Sequence, residues 1–206
     1  MTKQLLTDYM PLDTTQGGVI IESMDDKKDG VTRIKGILQR ANAKNQNGRV
    51  YPREILEREA QKYLELVNER RAMGELDHPD SSVVNLNNVS HIITEMGWIK
   101  DDLVGVIEVV PTPSGKILEA LLKAGVKVGI SSRGLGTVQE GVDGAAEVQD
   151  DFELLAFDMV SNPSTHGAFM HPVNESVDKY GQACVNKYCR IQEIVTEILL
   201  GTEQSK

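Results

Sequence analysis

The 206-residue chain is short of several things, and each shortage closes off a class of protein. It has two cysteines, Cys184 and Cys189, both near its C-terminal end. A C-x4-C pair with no histidine cluster beside it makes neither a zinc site nor a disulfide framework, so both are read as reduced thiols of a cytoplasmic protein. No apolar run approaches the ~18 residues of a membrane-spanning helix. The first residues, Met1 to Asp8, lack the apolar core of a secretory signal, so neither membrane association nor secretion is expected. Basic residues are outnumbered, 22 against 31 acidic, for a net charge of -9. That is the wrong sign for a general nucleic-acid binder. Phosphate-loop and H-E-x-x-H patterns are missing, and Gly134-Leu135-Gly136 lacks the third glycine of a dinucleotide loop. The Asp25–Gly30 stretch has Lys27 where a calcium loop needs an oxygen ligand, and is read as a charged turn.

What is present is enough chain for one domain with a core and a possible tail. Residues 1–18 are weakly patterned and end in Gly17-Gly18, which predicts a loosely ordered arm. Val19-Ile20-Ile21-Glu22 predicts a short strand. Residues 31–40 alternate apolar and polar as far as Gly36, a strand with one buried face. Asn47-Gly48 predicts a turn. Pro52 then opens a helix whose stripe is Ile55, Leu56, Ala60, Tyr63, Leu64 and Val67, with Gly74 as its stop. Ser90–Ile99 and Asp102–Val110 read as a hairpin across Lys100-Asp101. Ser114 is a candidate cap for a short helix with Ile117, Leu118, Leu121 and Leu122 inward and Gly125 after it. Val126–Val138 and Phe152–Val160 read as strands, with a loop over Gln139–Gln149 between them. Residues 182–200 predict an amphipathic C-terminal helix. The sum is α+β, a mostly antiparallel sheet or barrel of about six strands with a few helices. The domains are 1–18 as arm, 19–174 as the body and 175–206 as a helical tail.

The stretch that invites chemistry is Gly129-Ile130-Ser131-Ser132-Arg133-Gly134. It sets a hydroxyl on a strand beside glycines that let another backbone approach. A serine needs a base to become a nucleophile, and the chain offers four histidines, His78, His91, His166 and His171. His78 has the most suggestive setting, in a turn between Asp77 and Pro79 after a helix. A third group should fix the tautomer of that base. Asp158 is the candidate, because a carboxylate between Phe157 and Met159 is costly unless paired. An outward-pointing Asp158 on an alternating strand fits the pattern equally. The segment is not an α/β-hydrolase elbow, because Arg133 stands where that motif needs glycine.

Four pieces occur in one order: Asn45-x-Asn47-Gly48-Arg49-Val50-Tyr51-Pro52, Gly74-Glu75-Leu76-Asp77-His78-Pro79, Gly129-Ile130-Ser131-Ser132-Arg133-Gly134-Leu135-Gly136, and Phe157-Asp158-x-Val160-x-x-Pro163-Ser164. Together they span about residues 30–172 and resemble the prohead (procapsid) core protein proteases of myovirus-type tailed phages. That resemblance implies an antiparallel β-barrel surrounded by helices, like the herpesvirus assemblin proteases. It implies a serine endopeptidase that cleaves scaffold or core and capsid proteins inside the prohead, in the host cytoplasm, after glutamate, and that matures by self-cleavage. Carried over, His78 is the base, Ser131 the nucleophile and Asp158 the third member, a place held by histidine in the herpesvirus proteins. Ser132, Arg133 and Gly134 become the expected oxyanion-hole residues. Glu193 and Glu197, each shortly after an aliphatic residue in the tail, are candidate self-cleavage sites. Acyl transfer of this kind calls for no metal and no cofactor, and a homo-oligomer is expected.

Two rival readings use the same residues. One is a non-catalytic, ring-forming assembly protein in which Ser131 and His78 are ordinary surface residues. The other is a metallohydrolase built on Asp77, His78, Asp80 and His91, for which no ligand spacing is diagnostic.

Overall fold

The computed structural model describes residues 3–7, 30–141, 144–161 and 171–172. The predicted strand at Val19–Glu22, the charged turn before Gly30, His166, the cysteines, the C-terminal helix and both candidate cleavage glutamates lie outside them. The described chain is α+β, with mostly antiparallel pairing. Its elements are β1 (Gln4–Thr7), β2 (Arg33–Arg40), β3 (Arg49–Val50), α1 (Arg53–Asn68), β4 (Met73–Glu75), β5 (Val89–Ile99), β6 (Asp102–Val109), α2 (Pro113–Lys123), β7 (Gly129–Gly136), β8 (Val138–Glu140), β9 (Ala146–Val148), β10 (Glu153–Val160) and β11 (His171–Pro172). They form three sheets, in the orders β1-β7-β10, β11-β2-β6-β5-β4 and β3-β9-β8. Only β3–β9 among these pairings is parallel.

The long elements sit where their periodicity puts them. The β5–β6 hairpin turns through Lys100, whose φ of 55° is left-handed. In α1 the buried positions are Leu56, Glu59, Ala60, Tyr63 and Val67. This stripe packs Tyr63 edge-on against Phe157 of β10, ring centroids 5.4 Å apart. One core lies between α1, α2 and the sheets, around Ile34, Ile93, Ile107, Leu118, Ile130, Phe157 and Met159. A second gathers Leu6, Tyr51, Leu56, Val148 and Phe152.

Five local expectations are corrected. Within the expected arm, Gln4–Thr7 pairs with β7 and Leu6 is fully buried, so these four residues belong to the sheet. Helix α1 ends before Gly74: Arg70 takes the left-handed conformation (φ 55°), and Arg71 N–H closes the end on Leu66 O at 2.7 Å. Gly74 instead lies in β4, where a Cβ would stand 2.0 Å from Phe157 O and 2.3 Å from His91 Nε2. Helix α2 is capped by Thr112, whose side chain accepts Gly115 N–H at 3.0 Å, and not by Ser114. Ile117 faces out, 54% exposed, while Leu118 is fully buried. The expected loop over 139–149 contains β8 and β9, paired Val138↔Val148 through Glu140↔Ala146.

Candidate active site

Strand β7 is central in its sheet, between β1 and β10. Side chains alternate along it. Ile130 belongs to the main core. Ser131 and Arg133 therefore share the other face, while Ser132, opposite Phe157, lies on the core side. On β10, Phe157 and Met159 enter the core and Asp158 faces away from it. The register places Asp158 directly across from Ser131. Such a pair holds its β-carbons ~5 Å apart on one face.

A bulge sets this register. Leu154 opposes Gly134, but Ala156, two residues on, opposes Arg133. Without the extra residue Phe157 would oppose Ser131, and Asp158 would fall opposite Ile130 on the core side. The glycines of the β7 motif give room behind it: a Cβ on Gly134 would stand 2.4 Å from the Phe152 ring.

The third element arrives from β4. Leu76 makes a parallel bridge to Met159, and Asp77 N–H donates to Met159 O at 2.7 Å. Asp77 is left-handed (φ 70°), and its Oδ1 accepts the His78 N–H at 3.0 Å. Asp tolerates that conformation better than most residues. The reversal turns His78 back over β10, where Nδ1 lies 2.8 Å from Asp158 Oδ2. The His78 side chain is 6% exposed and Asp158 fully buried. A carboxylate only accepts, so Nδ1 carries a proton, and in the neutral tautomer the lone pair is on Nε2. Among the described residues, Nε2 has no hydrogen-bond partner.

Asp158 is held from several sides. Its Oδ1 accepts Glu75 N–H at 3.0 Å and Arg133 Nη2–H at 3.2 Å. Arg133 Nε lies 2.9 Å from Oδ2 but is turned off the line of a hydrogen bond, so that contact is an electrostatic one. Arg133 is fully buried, donating also to Glu75 Oε1 at 3.0 Å and to Ser81 O at 2.6 Å. Its guanidinium thus serves the acidic cluster and the loop after His78, an occupation that the oxyanion expectation did not include. Of the other two expected oxyanion residues, Gly134 pairs on both strand edges. Ser132 stands opposite Phe157 of β10.

Neither Glu75 nor Ser81, which accept from Arg133 beside Asp158, is singled out by the sequence. The available signal was a glutamate flanked by Gly74 and Leu76 in a short segment, which has to be partnered once that segment is a buried strand. His91 is not part of the site. It is fully buried, with Nε2 donating to Phe157 O at 3.0 Å and Nδ1 accepting from Ser90 Oγ at 2.8 Å. Burial pushes it down to about 4, Asp158 and the Phe157 carbonyl opposing. Both nitrogens are occupied, which takes His91 out of the ligand set that the metallohydrolase reading needs.

The strand serine lies in register with a buried aspartate that is bonded to a histidine, three residue types that a serine hydrolase uses, although His78 Nε2 makes no hydrogen bond to Ser131. Comparison with known proteins agrees. Residues 9–178 match the model of the prohead core protein serine protease family. The prohead core protein protease of Enterobacteria phage T4 is 36% identical over 170 residues, covering 79% of this chain and 80% of that protein. The solved structure of the bacteriophage T4 capsid assembly protease superposes with a TM-score of 0.65 at 31% identity, covering 78% of this chain and 99% of that one. The chain belongs to the prohead core protein serine protease family, and it is a serine protease.

Proposed function

We propose that this chain is the endopeptidase of phage head maturation, cleaving scaffold or core and capsid proteins inside the prohead, after glutamate, with Ser131 as nucleophile, His78 as general base and Asp158 as the group that orients the base. The observation that carries the reading is the 2.8 Å contact of His78 Nδ1 with Asp158 Oδ2, made at the strand position opposite Ser131. In the reaction, Ser131 Oγ bonds to the scissile carbonyl carbon as its proton passes to His78 Nε2. The imidazolium is stabilised by Asp158 and gives that proton to the leaving amine as the C–N bond breaks. Water then attacks the acyl-enzyme, losing a proton to His78, and the C–Oγ bond breaks with return of the proton to Ser131. The Ser132 backbone N–H, next to Ser131 on β7, is the favoured oxyanion donor.

The protease body takes in β1 together with residues 19–174, and the tail 175–206 is trimmed at Glu193 or Glu197 during activation. The body closes as a barrel. This reading is supported by the Leu76–Met159 bridge joining β4 to β10 and by the packing of β2 on β7, which together link β2, β6, β5, β4, β10 and β7 in a ring. The enzyme works as a homo-oligomer in the prohead.

A fluorophosphonate probe tests the nucleophile: wild type is expected to be labelled and Ser131→Ala not, whereas equal labelling of both would remove the assignment. Mass spectrometry of the two proteins after incubation tests self-processing. A shortened C-terminus in wild type alone is expected, and identical termini would count against it.

A further inference from the structure

We propose that Glu75 is a positioning residue of this protease: it neutralises the buried Arg133 guanidinium and so leaves the Asp158 carboxylate to His78. The inference rests on the catalytic reading above and deepens it. The imidazole and the guanidinium compete for one oxygen, since Asp158 Oδ2 is 2.8 Å from His78 Nδ1 and 2.9 Å from Arg133 Nε. A fixed cation at that distance opposes the positive charge that His78 gains when it takes the serine proton. Arg133 is fully buried, so water does not screen it. The counter-charge comes from Glu75, whose Oε1 accepts Arg133 Nη2–H at 3.0 Å. With both carboxylates ionised the cluster keeps one excess negative charge, enough to balance one imidazolium.

Two features argue that Glu75 is committed to this task. Its side chain is 1% exposed, and its Oε2 has no hydrogen-bond partner among the described residues, so no second cation there draws on its charge. Its backbone N–H also fixes Asp158 Oδ1 at 3.0 Å, so one residue holds the aspartate by its main chain and the arginine by its side chain. The same pair grips the loop that follows His78: Glu75 Oε1 accepts Asn85 N–H at 3.0 Å, and Arg133 Nη1 donates to Ser81 O at 2.6 Å. Catalytic charge balance and the seat of the base-bearing loop therefore depend on one buried ion pair.

The test is the rate of covalent labelling by a fluorophosphonate, which needs the serine and its base but no knowledge of the peptide substrate. The full chain is compared as wild type, Glu75→Gln, Arg133→Met, the double variant and Ser131→Ala, with circular dichroism as a check on folding. Glu75→Gln is expected to lower the maximal labelling rate at least about tenfold (about 1.4 kcal/mol), with the probe's half-saturation concentration unchanged. Adding Arg133→Met to it is expected to restore part of that rate, because the competing cation goes with its counterion. Wild-type rates in Glu75→Gln, or a double variant no faster than Glu75→Gln, would overturn the proposal. Should Glu75→Gln fail to fold, the double variant decides alone. A rate within about tenfold of wild type supports mutual neutralisation, and a fall to the Ser131→Ala background refutes it. If Ser131→Ala itself labels like wild type, the catalytic reading fails, whatever Glu75 does.

Discussion

Asp158 is where most of the site's geometry is decided. One oxygen takes a main-chain N–H and a guanidinium N–H, and the other faces the imidazole. Replacing it with asparagine keeps one oxygen and nearly the same volume. The amide nitrogen then faces Nδ1 as a donor, which forces the imidazole proton onto Nε2 and removes the base. Asp158→Asn is therefore expected to lower kcat by about ten-thousandfold while the fold survives. Peptide cleavage and a thermal melt of the same sample would measure both. A variant that cleaves at more than about a tenth of the wild-type rate would contradict the assigned role. How legible this residue was in the sequence depended on context. An aspartate between Phe157 and Met159 fits an outward-facing position and a buried partnered one alike. The choice between them is made by the bulge at Leu155, and a single skipped register step leaves no mark in the hydrophobic pattern. Glu75 and its ion pair with Arg133 were hidden for a related reason: the two meet only after β4 and β7 are brought together in space.

At the level of elements, long periodic segments were legible and short ones were not. Helix α1, strands β2 and β10 and the β5–β6 hairpin each carry enough alternating or helical spacing to declare themselves. β1, β4, β8 and β9 have three or four residues each, too few for a period, and they are strands only because partners lie alongside. Helix α2 shows the same limit at one end. Thr112-Pro113-Ser114 presents two hydroxyls that could cap it. Pro113 stands at the first helical position, where its missing N–H costs nothing, so the cap falls to Thr112. Besides accepting Gly115 N–H, the Thr112 hydroxyl donates to Val89 O and ties the helix start to β5. Thr112→Ala is expected to destabilise the protein by about 1–2 kcal/mol, and Ser114→Ala by less than about 0.5 kcal/mol. Urea midpoints of the two variants check this, and an equal or reversed order would mean that Ser114 caps the helix after all.

For the molecule as a whole, the question is what joins the sheet carrying the base to the sheet carrying the nucleophile. The backbone supplies the Leu76–Met159 bridge and Asp77 N–H to Met159 O. His91 supplies a side-chain staple: it stands on β5 beside Gly74 of β4, and its Nε2–H reaches across to Phe157 O of β10. Gly74 is glycine because that imidazole and that carbonyl occupy the space of a Cβ. Nε2–H would still donate to Phe157 O from an imidazolium, but that charge would lie unsolvated in the core, so it is burial that favours the neutral ring. Burial depresses His91 to about 4 against 6.5 in the unfolded chain, with nearby Asp158 opposing the shift. The unfolded state therefore binds the proton first as pH falls. The resulting stability is fully present above about pH 6.5 and is lost progressively as pH drops through about 4. The gap corresponds to about 3 kcal/mol. Glutamine at this position can donate to Phe157 O but cannot titrate. Urea unfolding of wild type should thus lose about 3 kcal/mol more than His91→Gln between pH 7 and pH 4. Parallel curves for the two proteins would show that the junction between the sheets does not depend on the charge state of this imidazole.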